Sequence, residues 1–95
     1  MASHIKTVLD YGSGDGHFLD KFKHSDVLLY AVEANEKLIK KLESAGIIAY
    51  TDISRISCNF DVIRLNHVLE HLKNPKELLA VFHKLLKDDG ELIIG

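Results

Sequence analysis

The sequence predicts an α/β fold, a doubly wound parallel sheet with helices on both faces. Two observations predict it. Short β-prone apolar runs alternate with helix-patterned segments along the chain, with no internal repeat, low-complexity tract or linker between them. A glycine-rich turn, Gly12-Ser13-Gly14-Asp15-Gly16, also follows directly on the first apolar run, where a strand has to turn into a helix. Such alternation implies right-handed crossovers, and it puts a ligand outside the carboxyl ends of the strands. The 95 residues leave room for one domain, residues 1–95, since domains usually run to roughly 100–150 residues.

The first strand is Thr7-Val8-Leu9-Asp10. After the glycines, Phe18, Leu19 and Phe22 offer an apolar face at helical spacing. Val27 to Val32 forms the second strand and ends at Glu33. Asn35 is then a good N-cap for a helix over Glu36 to Ala45, whose Leu38, Ile39, Leu42 and Ala45 lie opposite Lys37, Lys40, Lys41 and Glu43. Gly46 suits the helix C-terminus, and Ile47 to Tyr50 makes a third strand leading to Asp52. Ser54 to Asn59 reads as loop with a helical turn. Phe60 to Asn66 is the fourth strand, followed by a short helical piece near Val68 to Leu72. Asn74-Pro75-Lys76-Glu77 has the form of a capping box opening a helix to about Lys87. Asp88-Asp89-Gly90 stops that helix before a fifth strand, Glu91 to Ile94.

Composition narrows the function classes. Twelve Lys and Arg against 14 Asp and Glu give a net charge of −2, without the basic footprint of a nonspecific nucleic-acid binder. The single cysteine, Cys58, excludes an internal disulfide, and the first residues form no apolar signal core. A cytoplasmic setting is the expectation. No apolar stretch approaches the roughly 20 residues of a membrane span.

The strand ends carry Asp10, Glu33, Asp52 and Asn66. Glycines directly after a buried strand let ligand atoms approach the backbone with no Cβ in the way. An acid at the end of the second strand, Glu33, can accept both hydroxyls of a ribose lying across the first. A nicotinamide dinucleotide would place the third glycine three positions after the second, where this chain has His17; here it comes at Gly16, which argues against that ligand.

With these residues the sequence resembles the class I S-adenosylmethionine-dependent methyltransferases, over about Lys6 to Gly95. Four stretches match in order: Asp10-Tyr11-Gly12-Ser13-Gly14-Asp15-Gly16; Glu33-Ala34-Asn35; Asp52-Ile53; and Phe60-Asp61-Val62-Ile63 through Asn66-His67-Val68-Leu69-Glu70-His71-Leu72 to Leu85-Leu86-Lys87-Asp88-Asp89-Gly90. Asp89 replaces the first glycine of the family's usual pair, which affects a turn.

The resemblance implies a Rossmann-like sheet of order 3-2-1-4-5, truncated before strands six and seven, with S-adenosyl-L-methionine as cofactor and a small molecule as methyl acceptor. It also implies that the glycine loop, with Tyr11 and Ser13, holds the aminocarboxypropyl arm, its backbone N–H groups facing the carboxylate and Asp10 the ammonium. Glu33 takes the ribose; Asp52 takes the adenine amino group between Ile53 and Ala34, with Asn35 alongside. Asn66 and His67 border the methyl group, and His67 is the candidate base for a hydroxyl or amine acceptor. Some O-methyltransferases hold a divalent ion with a pair similar to Glu70-His71. They have a further Glu where this chain has His67, so a structural use of that pair is favoured and no metal is assigned.

A zinc-protease reading of His67-Val68-Leu69-Glu70-His71 lacks a well-placed third ligand and leaves the glycines unexplained. Two further alternatives to an enzyme stay open: a noncatalytic cofactor- or partner-binding module, and a dinucleotide-binding half-domain. Arg64, inside an apolar strand, is expected to snorkel or to pair with Asp61 or Glu91. Leu92-Ile93-Ile94 would be an unprotected apolar edge open to self-association.

Overall fold

The computed structural model describes residues 5–14, 16–23, 26–65 and 74–94. Five strands, β1 (Thr7–Tyr11), β2 (Leu28–Val32), β3 (Ile48–Tyr50), β4 (Phe60–Leu65) and β5 (Leu86–Ile94), form one sheet in the order β3-β2-β1-β4-β5. Every neighbouring pair is parallel. The predicted order 3-2-1-4-5 is therefore the observed one, and the fold is the Rossmann-like doubly wound sheet.

Strand periodicity divides the core in two. Val8 and Val62 point to one face, where they meet Leu29, Ala31, Leu19 and Leu42; Leu9, Ile63 and Leu65 point to the other, against Ile56 and Phe82. Helix α1 (Glu36–Ser44) contributes Leu42 to the first cluster and helix α2 (Pro75–Leu85) contributes Phe82 to the second. No helix among the described residues is long and apolar enough to cross a membrane.

The start of α1 follows the sequence closely. Asn35 is the N-cap, its side-chain oxygen accepting from the Lys37 N–H at 2.9 Å. At the other end Ile47 N–H donates to the Leu42 carbonyl and Gly46 N–H to that of Glu43, a Schellman closure that delivers the chain into β3.

Three expectations need correction. The helix predicted after the glycines is a single 3-10 turn, Leu19–Phe22. Its apolar residues are used as expected, with Leu19 buried and Phe18 stacked edge-on to Phe22, but the Lys23 N–H donates to the Asp20 carbonyl three residues back and closes the turn as a 3-10 turn. Asn74 does precede α2, yet it forms no side-chain cap. Its ψ of 70° lies outside the extended region that Asn35 occupies, and Pro75 at the first helical position opens the helix instead. Finally, α2 ends at Leu85, short of Lys87. The Asn59 side-chain amide donates to the carbonyls of Lys84 and Leu85 at 3.1 and 3.5 Å, and Leu86 already pairs with Phe60. The Asp88-Asp89-Gly90 stop survives as a bulge inside β5, because the register jumps from Phe60↔Leu86 to Val62↔Glu91. The short helical piece predicted near Val68 to Leu72 lies outside the described residues.

Asp61 fastens the end of the sheet away from the glycine loop. Its Oδ2 accepts from the N–H groups of Lys6 and Thr7, at 2.7 and 3.1 Å, and from Lys87 Nζ at 3.1 Å. One carboxylate thus joins β1, β4 and β5. Burial works to raise its pKa, but the Lys6 and Thr7 N–H groups and the Lys87 ammonium outweigh it and hold the carboxyl below its ordinary value. The partner foreseen for Asp61, Arg64, is engaged elsewhere.

Candidate cofactor site

The carboxyl ends of β1, β2 and β3 bring together the predicted residues that the structure describes. Gly12 continues the β1–β2 ladder, its N–H donating to the Val32 carbonyl at 2.9 Å, and Glu33 N–H donates to Tyr50 O at 2.9 Å, which extends β2–β3. Gly12, Gly14 and Gly16 all have positive φ. Their uses differ. A Cβ at Gly14 would meet nothing within 4 Å, so the loop leaves open space there; one at Gly16 would come within 2.9 Å of Leu42 and 3.4 Å of Ile47. Gly16 is therefore needed so that the loop can close onto α1 and the start of β3, while Gly14 borders space that a ligand could use.

Glu33 is the organiser of this rim. Its Oε1 accepts from Gly14 N–H and its Oε2 from Asn35 N–H, both at 2.9 Å, so one carboxylate clips the glycine loop to the entrance of α1. An ionised carboxylate has about four acceptor positions, so two bonds leave further capacity on both oxygens. The N–H groups of Gly12, Gly14 and Gly16 each donate within the protein, to Val32 O, Glu33 and Ser13 O. At these positions the loop offers a ligand room, and the expected backbone donors are already engaged.

Asp10 and Ser13 are the buried polar residues of the molecule's described part, and neither the Asp10 carboxylate oxygens nor Ser13 Oγ has a hydrogen-bond partner. Buried polar groups are nearly always bonded, so three such atoms beside a glycine loop single out the place. Asp10 faces Arg64 across the β1–β4 pair, with Nη1 3.6 Å from Oδ2. Burial is the main influence on Asp10 and raises its pKa from 3.8 to about 6; Arg64 pulls it down and Glu33 pushes it up.

The other predicted residues take more peripheral places. Tyr11 is half-buried against Phe82, ring centroids 5.4 Å apart. Ala34 and Asn35 are exposed at the entrance of α1. Asp52 is exposed at the head of the 3-10 turn Ile53–Arg55; its Oδ1 accepts from Ser54 N–H at 2.9 Å, the bond that chiefly lowers its pKa. Ile53 packs partly buried on the Phe82 side of the sheet. Asn66, His67, Glu70 and His71 lie outside the described residues. Sequence reasoning placed Arg64 with the wrong acids and left Phe18 out of the site. The strand order it predicted already made β1 and β4 neighbours, and that adjacency is the signal for the Asp10–Arg64 pair.

The family model for a methyltransferase domain matches residues 4–94. The chain belongs to this family. Among curated relatives of the methyltransferase domain, an uncharacterised protein of Methanocaldococcus jannaschii is 30% identical over 92% of this chain and 42% of its own length. A ubiquinone biosynthesis O-methyltransferase of Pseudomonas paraeruginosa is 25% identical over 95% of this chain and 44% of its own. Among solved structures, the plantazolicin methyltransferase BpumL in complex with S-adenosylhomocysteine superposes with a TM-score of 0.78 at 26% identity, covering 95% of this chain and 38% of that one. This methyltransferase domain thus spans less than half the length of the relatives it matches.

Proposed function

We propose that this methyltransferase domain binds S-adenosylmethionine across the carboxyl ends of β1, β2 and β3 and serves transfer of its methyl group to a small-molecule acceptor. The observation that carries the reading is the buried, unbonded Asp10 carboxylate on the strand that runs into the glycine loop, together with the open space at Gly14 of that loop. The donor set fits the cofactor. A cationic amine would supply what Asp10 lacks, and a sugar with two adjacent hydroxyls suits the spare acceptor positions of Glu33. An exocyclic amine of a purine suits the exposed carboxylate of Asp52, with Ile53 and Ala34 as apolar neighbours. Ser13 Oγ and the space over Gly14 would receive the amino-acid arm, and Asn66 and His67 would lie toward the methyl group.

Bound there, the cofactor supplies a methyl group already activated by a positively charged sulfur. The chain's own contribution is then mainly positional. Orientation of reacting groups lowers barriers by up to roughly 7–11 kcal/mol, which requires a rim that does not move. Glu33 provides one by holding Gly14 and Asn35 at 2.9 Å each. If the acceptor is a hydroxyl or an amine, His67, two positions after Leu65 in the sequence, is the residue to take its proton. Glu70 and His71 are read as structural, with no metal assigned.

A thermal-shift titration tests the reading. S-adenosylmethionine or S-adenosylhomocysteine at about 100 times its dissociation constant should stabilise the domain by roughly 2.7 kcal/mol. The shift should vanish in Gly14→Val and shrink in Glu33→Ala. A shift with NADH and none with either sulfur compound would make the chain a dinucleotide-binding half-domain. Binding without transfer of labelled methyl to any acceptor would make it a noncatalytic module.

A further inference from the structure

Asp10 and Arg64 are register partners on adjacent parallel strands, both on the face that carries Val8 and Val62. The Arg64 guanidinium lies between two groups. Its Nη1 is 3.6 Å from Asp10 Oδ2, and its Cζ is 4.6 Å from the centroid of the Phe18 ring, which comes from the turn after the glycine loop. A flat cation stacked on an aromatic face is held in position and gives up little hydration, a role suited to arginine. The result is a chain of contacts from the loop, through Phe18 and Arg64, to a carboxylate that has no hydrogen-bond donor of its own.

We propose that Arg64 is a positioning residue for cofactor binding, held by Phe18, that keeps Asp10 ionised so that it can receive the ammonium of the ligand's amino-acid arm. The proposal rests on the cofactor reading above. A fully buried carboxylate without donors reverts to the neutral acid, and a neutral acid gives an ammonium no ion pair. Among the described residues, the charged groups acting on Asp10 are Arg64 from β4, which favours the ionised form, and Glu33 from the end of β2, which disfavours it. With Arg64 in place Asp10 titrates near pH 6; without it the acid form extends upward into the neutral range. Arg64 also repels an incoming ammonium, but that repulsion acts at every pH. The effect on ionisation is confined to a window, so the pH profile separates the two.

The test is the affinity of the full chain for S-adenosylhomocysteine from about pH 5 to pH 7.5, where the ligand's amine stays protonated, in wild type, Arg64→Met, Arg64→Lys and Phe18→Leu. 5′-Methylthioadenosine, the same nucleoside without the amino-acid arm, is the second probe. The acid limb of the S-adenosylhomocysteine profile should move up by about one unit in Arg64→Met, an about tenfold loss of affinity near pH 5 that shrinks to about twofold near pH 7. Arg64→Lys should restore most of it, and Phe18→Leu should shift it less in the same direction. 5′-Methylthioadenosine should bind all four proteins alike. Superimposable profiles for wild type and Arg64→Met overturn the proposal, as does an equal loss for both probes at all pH values. Wild type that binds neither probe sinks the cofactor reading itself, and the proposal with it.

Discussion

Asp10 sets the site's character at the scale of single residues, because a buried charge that a ligand needs is a burden on the ligand-free fold. Its pKa is raised from 3.8 to about 6 in the folded chain. The associated stability is complete below the unfolded value and is lost as pH rises through the folded one. At pH 8 the ionised Asp10 therefore costs stability, on the order of 1–3 kcal/mol for a shift of this size. Asp10→Asn should raise the melting temperature of the ligand-free domain at pH 8 and lose the shift given by S-adenosylhomocysteine. A variant that melts lower and still binds would contradict this. Glu33→Ala should act in the other direction: removing the acceptor of Gly14 and Asn35 should lower stability by roughly 1–2 kcal/mol in urea unfolding and weaken binding as well.

Elements are joined here by a few side chains placed at strand and helix ends. Asn35 opens α1, and Asn35→Ala should cost about 1 kcal/mol in denaturant unfolding. Asp61 ties β1, β4 and β5 together with its carboxyl held below the ordinary value, so its contribution is present above the unfolded pKa of about 3.9 and disappears as pH falls below it. Asp61→Asn should lower stability at pH 7 and flatten the loss of stability below about pH 4; an unchanged acid limb would count against the three-strand tie. Much at this scale was legible in the chain. The alternation of apolar runs marked every strand, and Asn35 and Gly46 marked the two ends of α1, because strand periodicity and capping are local properties. What was not legible depends on contacts between distant residues. Asn59 ends α2 from 25 positions away, and Glu33 reaches Gly14 across 19. Neither can be read until the strand order has placed the partners side by side.

The whole molecule has a working end and a fastening end. Glycine loop, Glu33 and Asp52 gather at the carboxyl ends of the strands, while Asp61, Thr7 and Lys87 close the opposite end. The sheet also ends in β5, where Ile93 and Ile94 are exposed and, among the described residues, no strand pairs with the outer side. An open apolar edge invites strand pairing. The chain is expected to self-associate in sedimentation velocity at high concentration, and Ile94→Lys is expected to keep it monomeric. The strand order was legible in advance, but the working end was legible only in part: the acids were foreseen one by one, and the bond that makes Glu33 the clip of the rim was not. The central claim is that the carboxyl ends of β1, β2 and β3 receive the cofactor. Amide chemical shifts followed by NMR while S-adenosylhomocysteine is added test it most directly. The shifts should move for Gly12, Gly14, Glu33, Asn35 and Ser54 and stay in place for Lys6, Thr7 and Asp61. Movement confined to the Asp61 end, or none at saturating ligand, would contradict it.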